Sequence, residues 1–137
     1  MSETRLRSGT CEPDKLSSLA LAHVGDAVYD LLVRTKLTTD GSLTAVSLHK
    51  ETVARVNDRA QQEAAERILS VLTEEESAVY RRARNTKVHS VPKNASLAEY
   101  HSATGLEALF GWLWLKGMDG RIMELFEMIT EKKDNGD

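Results

Sequence analysis

Two acidic side chains lie inside the two most apolar stretches of the chain. Asp26 falls within HVGDAVYDLLV, and Glu107 falls within GLEALFGWLWL. At helical spacing, apolar neighbours would surround each carboxylate, so ionising it costs desolvation free energy unless a cation or hydrogen bonds compensate. A bound metal ion would supply that compensation. Mg²⁺ prefers oxygen ligands and keeps several waters, so Asp26 and Glu107 could share one such ion if their helices meet.

Three glycines in the same stretches favour close contact between the two helices. Gly25, Gly105 and Gly111 each weaken a helix by about 1 kcal/mol relative to alanine, which indicates that another backbone approaches there. Taken singly, each acid has a simpler interpretation, as a buried carboxylate bonded to its neighbours or as an exposed one on a polar face. The occurrence of two such acids, one in each of two apolar stretches, favours the metal site.

The order and spacing of these stretches resemble the catalytic domain of the ribonuclease III family, most closely its short form, Mini-ribonuclease III. Residues 19–33 are similar to the family's signature helix, whose central Gly-Asp pair matches Gly25 and Asp26. Residues 104–115 are similar to the later helix that carries the second catalytic carboxylate, here Glu107. The connecting stretch RNTKVHSVPKNASLAEYHSATGLEAL resembles the basic loop of the short form, so the resemblance extends over about residues 16–130.

This resemblance implies an all-α fold, the ribonuclease III catalytic-domain helical bundle. It implies a magnesium-dependent endoribonuclease that hydrolyses double-stranded RNA, with Asp26 and Glu107 as catalytic metal ligands and Mn²⁺ as a substitute ion. It further implies maturation of the large-subunit ribosomal RNA precursor, presented by a large-subunit ribosomal protein. The alternatives are a noncatalytic module of the same fold that binds structured RNA, and a helical interaction protein with structural acids.

The larger ribonuclease III pattern has further carboxylates at positions that hold Leu19, Ala22 and Thr104 in this chain. The short form looks the same there, so we interpret the difference as a subfamily trait. The number of metal ions, and an outer contact from Asp30 or Thr104, stay open. Asp30 lies one turn beyond Asp26 and is equally well interpreted as a surface charge.

A basic segment precedes the second acidic stretch. Residues 81–93 contain five lysines and arginines and no acid, in a chain whose net charge is −3. Such a segment can neutralise phosphates, although a solvated helix end explains it equally well when it is considered alone. With the resemblance, we expect RNA contacts from five residues: Arg84, Asn85, Lys87, Lys93 and Asn94.

Cutting both strands of a duplex requires two hydrolytic centres. The family provides them as a two-fold homodimer, and the larger enzymes place a bulky aromatic just before the Leu-Gly-Asp triplet, where it packs into the partner. His23 occupies that place here. The resemblance therefore implies a dimer-interface role for His23, with a histidine half-buried in its own subunit as the alternative.

Length and composition predict one soluble domain. The 137 residues are 41% hydrophobic and 28% charged, enough for one ordinary core. We assign residues 13–132 to that domain, with tails at 1–12 and 133–137. Cys11 is the only cysteine, which excludes an intrachain disulfide. The absence of a signal peptide and of an apolar run of about 20 residues predicts a cytoplasmic protein that does not enter a membrane.

Helical periodicity runs through the chain and no alternating strand pattern occurs. The first helix should begin at Pro13 and end before Gly41, with apolar residues at Leu16, Leu19, Ala20, Val24, Ala27, Val28 and Leu31. A second, interrupted helical region should span residues 43–72. Its predicted inward residues are Val46, Val53, Val56, Ala60, Ala64, Ile68 and Leu72.

Two capping boxes predict where later helices begin. Thr73 with Glu76, and Ser96 with Glu99, have the spacing at which each side chain bonds the backbone N–H of the other. The helix launched from Ser96 should carry Glu107. A last helix should follow the segment GMDG and place four apolar residues on one face: Ile122, Leu125, Phe126 and Ile129.

Overall fold

The computed structural model describes residues 6–7, 11–41, 43–87 and 96–131. Regular structure in these residues is entirely helical, which confirms the all-α prediction. The six α-helices are α1 (Ser18–Asp40), α2 (Ala45–Val56), α3 (Asp58–Ile68), α4 (Glu74–Arg84), α5 (Leu97–Leu115) and α6 (Asp119–Thr130). Single turns of 3₁₀-helix lie at Pro13–Lys15 and Leu69–Val71. No helix in this part of the chain is long and apolar enough to cross a membrane.

Helix α5 is the centre of the bundle, and α1, α3, α4 and α6 all pack against it. Its residues 103–113 are buried on every face except at Glu107, as expected for a helical segment that its neighbours enclose. Leu106, Leu109, Phe110 and Leu113 are fully buried, and burying each such side chain contributes about 1.5–3 kcal/mol. Tyr29 of α1 meets the ring of Phe110 edge to face at 5.4 Å. The α1–α5 contact that must position the two acids is therefore part of the main core.

Local sequence signals set the starts of α4 and α5, as predicted. Thr73 Oγ1 accepts a hydrogen bond from the N–H of Glu76, and Glu76 accepts one from the N–H of Thr73. Ser96 and Glu99 exchange the same pair of bonds. These bonds satisfy N–H groups that a helix start otherwise leaves without partners.

Helix α1 differs from its prediction in its start and in its buried face. It begins at Ser18, with the Ser17 hydroxyl as cap, because Pro13–Lys15 forms a separate turn. The buried stripe consists of Ser18, Leu21, Ala22, Gly25, Tyr29, Val33 and Leu37. Leu19 and Leu31, which follow the helical period equally well, are 47% and 61% exposed. Helix α1 carries two apolar stripes, and α5 covers only one.

The second helical region is divided at Asn57, as its predicted interruption suggests. Asn57 has an extended backbone, ends α2, and caps α3 by accepting a hydrogen bond from the N–H of Ala60 at 2.9 Å. The inward orientation predicted for Val46 and Val53 is wrong, because they are 80% and 49% exposed. The break at Asn57 reorients α2 relative to α3, so one continuous helical stripe does not describe both. Ala64 and Ile68 of α3 are buried as predicted.

Candidate active site

The backbones of α1 and α5 are in direct contact at two glycines. A Cβ atom on Gly25 would collide with the carbonyl oxygen of Glu107, and one on Gly111 would collide with the carbonyl of Leu21. A Cβ on Gly105 would lie 2.8 Å from the ring of Tyr80 on α4. The predicted close approach of the α1 and α5 backbones is therefore confirmed at Gly25 and Gly111, whereas the prediction is wrong for Gly105, which packs against α4. Because Asp26 follows Gly25, this crossing brings Asp26 next to Glu107.

The two acids differ in their surroundings. Glu107 is half-buried, whereas Asp26 is exposed, so the expectation that both carboxylates lie in apolar surroundings is wrong for Asp26. The reason is the orientation of α1, which directs Gly25 at α5 and leaves Asp26 at the edge of the contact. The pair therefore combines one carboxylate at the surface with one beneath it.

The pKa of Glu107 reflects its burial and the neighbouring acids. Burial raises it from 4.5 to about 8, with help from the negative charge of Asp26, while a hydrogen bond from Gln61 acts in the opposite direction. Smaller increases come from the charge of Asp58 and from the hydrogen bond that a protonated Glu107 can share with Asp26. In the absence of a cation, this pKa keeps Glu107 mostly protonated at neutral pH. A divalent cation would reverse that preference.

A third carboxylate, Asp58, joins the pair from the first turn of α3. It is half-buried, and its pKa is raised by burial and then by the negative charges of Glu99 and Asp26. Sequence reasoning missed Asp58, because it lies in a polar stretch that contains no recognised motif. No signal in the sequence separates Asp58 from the other polar residues of this stretch.

The donor set fits a hard cation. Asp26 lies beside Glu107, and Asp58 is near enough for its charge to raise the pKa of Glu107. None of these three carboxylates forms an ion pair with a lysine or arginine within the described ranges. Within the same ranges, no group of three or more histidine, cysteine, aspartate or glutamate side chains is arranged to hold a metal ion. Mg²⁺ is commonly held by one or two carboxylates plus water and substrate phosphate, so two acids suffice for it.

Comparison with known proteins agrees with this geometry. Residues 19–118 match the Ribonuclease III domain family. The chain is 44% identical over 116 residues to Mini-ribonuclease 3 of Thermoanaerobacter sp. (strain X514), a match covering 85% of this chain and 82% of the relative. It is 38% identical over 124 residues to Mini-ribonuclease 3 of Symbiobacterium thermophilum, covering 90% and 95%. The chain belongs to the ribonuclease III family.

A solved structure supports the same fold. The crystal structure of a protein from Fusobacterium nucleatum matches with a TM-score of 0.82 at 28% identity, covering 89% of this chain and all of that one. The predicted ribonuclease III catalytic-domain bundle is thus confirmed. Membership in this family supports endoribonuclease activity and implies the use of a divalent metal ion.

The two residues predicted as possible outer contacts to a metal ion, Asp30 and Thr104, have other partners. Asp30 accepts a hydrogen bond from Arg34 at 2.9 Å on the surface of α1. Thr104 is buried and donates to the carbonyl of Tyr100 at 2.9 Å, within its own helix. Asp58, from a different helix, is the additional acid near Asp26 and Glu107.

The described cations of the basic segment differ in their contacts. Arg82 donates to the Ser18 hydroxyl and the Leu16 carbonyl, which ties α4 to the start of α1. Arg84 is half-buried beside the ring of Tyr80 at 5.8 Å. Asn85 ends α4, and Asn85 and Lys87 are exposed. Lys93 and Asn94, the remaining RNA-binding candidates, lie outside the described residues.

His23 is exposed on the second apolar stripe of α1. It lines a shallow groove between α1 and α6 together with Ala27, Leu31, Trp114 and Met123. Leu31 and Met123 are 61% and 46% exposed. The interpretation of His23 as half-buried within its own subunit is therefore wrong, and the histidine lies on an apolar outer surface.

Proposed function

We propose that this chain is a divalent-metal-dependent endoribonuclease that hydrolyses phosphodiester bonds in double-stranded RNA, with Asp26 and Glu107 as its catalytic metal ligands. The observation that carries the proposal is the α1–α5 crossing at Gly25, which sets an exposed and a half-buried carboxylate side by side without a neutralising cation among the described residues. Mg²⁺ is the ion that suits these oxygen ligands, and Mn²⁺ is the expected substitute.

A bound divalent ion lowers the pKa of water and offsets the charge that develops on phosphate oxygens. The protein's contribution is to hold two carboxylates at fixed positions for that ion. Glu107 is held by the core of α5 and by its hydrogen bond from Gln61. Asp26 lies at the surface, so an ion held beside it would be accessible to an RNA backbone outside the bundle. No serine, cysteine or histidine nucleophile is required.

The RNA would lie against the exposed side of this site. Arg84, Asn85 and Lys87 at the end of α4, continued by Lys93 and Asn94, supply cations and amides for phosphates and ribose hydroxyls. A-form RNA is recognised by shape and backbone, so contacts of this kind suit a duplex without a sequence requirement.

A two-fold homodimer would supply the second centre that double-strand cleavage needs. The exposed apolar surface around His23, Ala27 and Leu31 supports this, because water contact with such a stripe is unfavourable. Sedimentation tests it directly: Leu31→Arg should convert a dimer into a monomer, while Arg34→Ala, on the same helix, should leave the dimer intact. A monomeric wild-type protein at micromolar concentration would contradict the proposal.

The resemblance to the short form supports one substrate in particular, the large-subunit ribosomal RNA precursor, matured in the cytoplasm with a large-subunit ribosomal protein as presenting partner. Incubating the protein with that precursor, with and without the ribosomal proteins that bind it, tests this. Cleavage at one or a few sites is expected. Uniform degradation of precursor and unrelated duplex alike would contradict it.

The activity itself is tested with a long RNA duplex, a DNA duplex and a single-stranded RNA, each with Mg²⁺ or with a chelator. We expect cleavage of the RNA duplex only, only with Mg²⁺, to products with 5′-phosphate and 3′-hydroxyl ends. Binding of the duplex without cleavage under all metal conditions would instead identify the noncatalytic RNA-binding module. Absence of both binding and cleavage would identify a helical interaction protein.

A further inference from the structure

Gln61 of α3 is a fully buried amide in contact with Glu107, one of the two proposed metal ligands. It is 1% exposed, yet it belongs to an otherwise polar stretch of sequence that predicts no buried site. Its Nε2 atom donates to the carbonyl oxygen of Val56 at 2.9 Å and to Oε2 of Glu107 at 3.2 Å. Gln61 therefore links the end of α2 to the carboxylate on α5.

The chemistry of its partners fixes the orientation of this amide. The Val56 carbonyl and the Glu107 carboxylate both accept hydrogen bonds, so the nitrogen, with its two hydrogens, must face them. A flipped amide would place its oxygen against two other oxygens. Each N–H is thereby used once, and the Glu107 oxygen is held at a defined position relative to α3.

The other end of the amide is unused. Among the described residues, Oε1 of Gln61 is buried and has no hydrogen-bond partner. A buried acceptor without a partner costs free energy, and proteins usually retain one only where something else supplies the donor. Oε1 belongs to the same planar amide as the nitrogen that contacts Glu107, so water bound beside Glu107 would be a suitable donor for it.

We propose that Gln61 is a positioning residue for the divalent-ion site: its amide nitrogen orients Glu107, and its amide oxygen accepts a hydrogen bond from water at that site. This rests on the function proposed above for Asp26 and Glu107. Outer partners of this kind typically change metal affinity or activity about 10–100-fold when they are removed. The same hydrogen bond favours ionised Glu107, the form that binds a cation.

The first test replaces the amide with an apolar side chain of similar length, Gln61→Met, and uses Gln62→Met as the matched control. Calorimetric titration with Mn²⁺ alone should show affinity lowered about 10–100-fold in Gln61→Met and unchanged in Gln62→Met. The Mg²⁺ concentration for half-maximal cleavage should rise by a similar factor, with the KM for duplex RNA unchanged. Circular dichroism compares the folds.

A second measurement on the unaltered protein covers the case in which Gln61→Met does not fold. The side-chain NH₂ signals of Gln61 in a ¹⁵N spectrum should shift during Mg²⁺ titration, in parallel with the backbone signals of Asp26 and Glu107, while those of Gln62 stay constant. Static Gln61 signals would mean that the amide does not respond to the ion.

The outcomes separate the two proposals. If the wild-type protein binds Mn²⁺ and cuts RNA, and Gln61→Met matches it in affinity and Mg²⁺ requirement, the role of Gln61 is overturned and the nuclease stands. Static Gln61 signals in a protein that binds Mg²⁺ have the same meaning. If the wild-type protein neither binds Mn²⁺ nor cuts RNA, the nuclease proposal is overturned and the role of Gln61 with it.

Discussion

The backbone of Gly25 lies directly against the carbonyl of Glu107, so any side chain at position 25 would occupy the space of the α5 backbone. This contact determines where Asp26 stands, because the helix that presents Asp26 can approach α5 only through a residue without a Cβ atom. The separation of the two carboxylates is thus set by the main core and not by a surface loop.

Gly25→Ala should therefore lower the free energy of unfolding by at least about 3 kcal/mol. The added methyl group would collide with the α5 backbone, which cannot rotate away as a side chain can. Gly120→Ala is the matched control: a Cβ there meets nothing within 4 Å, and alanine in a helix gains about 0.5–1 kcal/mol over glycine. Urea unfolding measures both free energies. Equal stability of Gly25→Ala and wild type would show that α1 and α5 do not touch as described.

The buried ion pair between Glu76 and Arg121 should be the strongest electrostatic support of the fold. Glu76 is 2% exposed and accepts two hydrogen bonds of 2.8 Å from Arg121. Arg121→Met should cost about 3 kcal/mol of unfolding free energy, since it leaves a buried carboxylate without its cation. Arg34→Met, which removes an exposed pair with Asp30, should cost less than about 1 kcal/mol.

This pair also predicts a dependence on pH. Burial raises the pKa of Glu76, but the bonds from Arg121 and from the Thr73 N–H outweigh burial and hold it below its ordinary value of 4.5. A depressed folded pKa contributes stability that is complete above 4.5 and lost as the pH falls through the folded value. The stability difference between wild type and Glu76→Gln should shrink in that acidic range. A difference that is constant with pH would contradict the ion pair.

Glu107 predicts the opposite dependence in metal-free protein. The pKa of Glu107 in the folded protein, about 8, lies above the ordinary 4.5. The contribution of Glu107 to the free energy of unfolding is therefore complete below pH 4.5 and is lost as the pH rises through 8. Glu107→Gln should then be more stable than wild type above that pH, by at least about 1.4 kcal/mol. Unfolding in chelator at about pH 5, 7 and 9 measures the trend. Glu127→Gln, at an exposed position, is the control and should show no trend.

The proposed RNA surface predicts a change in salt dependence. Replacing Arg84, Lys87 and Lys93 by alanine should weaken duplex binding and reduce the slope of log affinity against log salt by about 3, because each lost phosphate contact contributes about 0.9. The double variant Arg34→Ala with Lys36→Ala, whose cations pair with acids of their own helix, should leave the slope unchanged. Identical slopes for the triple variant and the wild-type protein would place the RNA elsewhere.

Local signals made much of the fold predictable. The boxes at Thr73 and Ser96 act within one helical turn, so they could be recognised from sequence and the structure contains both. The contact between α1 and α5 was likewise signalled by Gly25 and Gly111. The buried face of α1 was not predictable, because periodicity cannot distinguish a stripe that packs on α5 from a stripe exposed at Leu19 and Leu31.

The candidate site was only partly predictable for a similar reason. Asp26 and Glu107 stand out because they interrupt apolar stretches, and they match a family motif. Asp58 and Gln61 reach the site from α3 because the chain breaks at Asn57, and nothing in a run of polar residues indicates which members turn inward. Tertiary packing selected them, so only coordinates could identify them.

The sharing of one ion by Asp26 and Glu107 is tested most directly by a double-mutant cycle on Mg²⁺-dependent cleavage. Single-turnover rates on duplex RNA should fall at least about a thousandfold for Asp26→Asn and for Glu107→Gln. The double variant should be little slower than either single variant, because both substitutions disrupt the same metal site. Duplex binding should be retained in all three variants. Full cleavage by either single variant, or losses that multiply in the double variant, would contradict a shared ion.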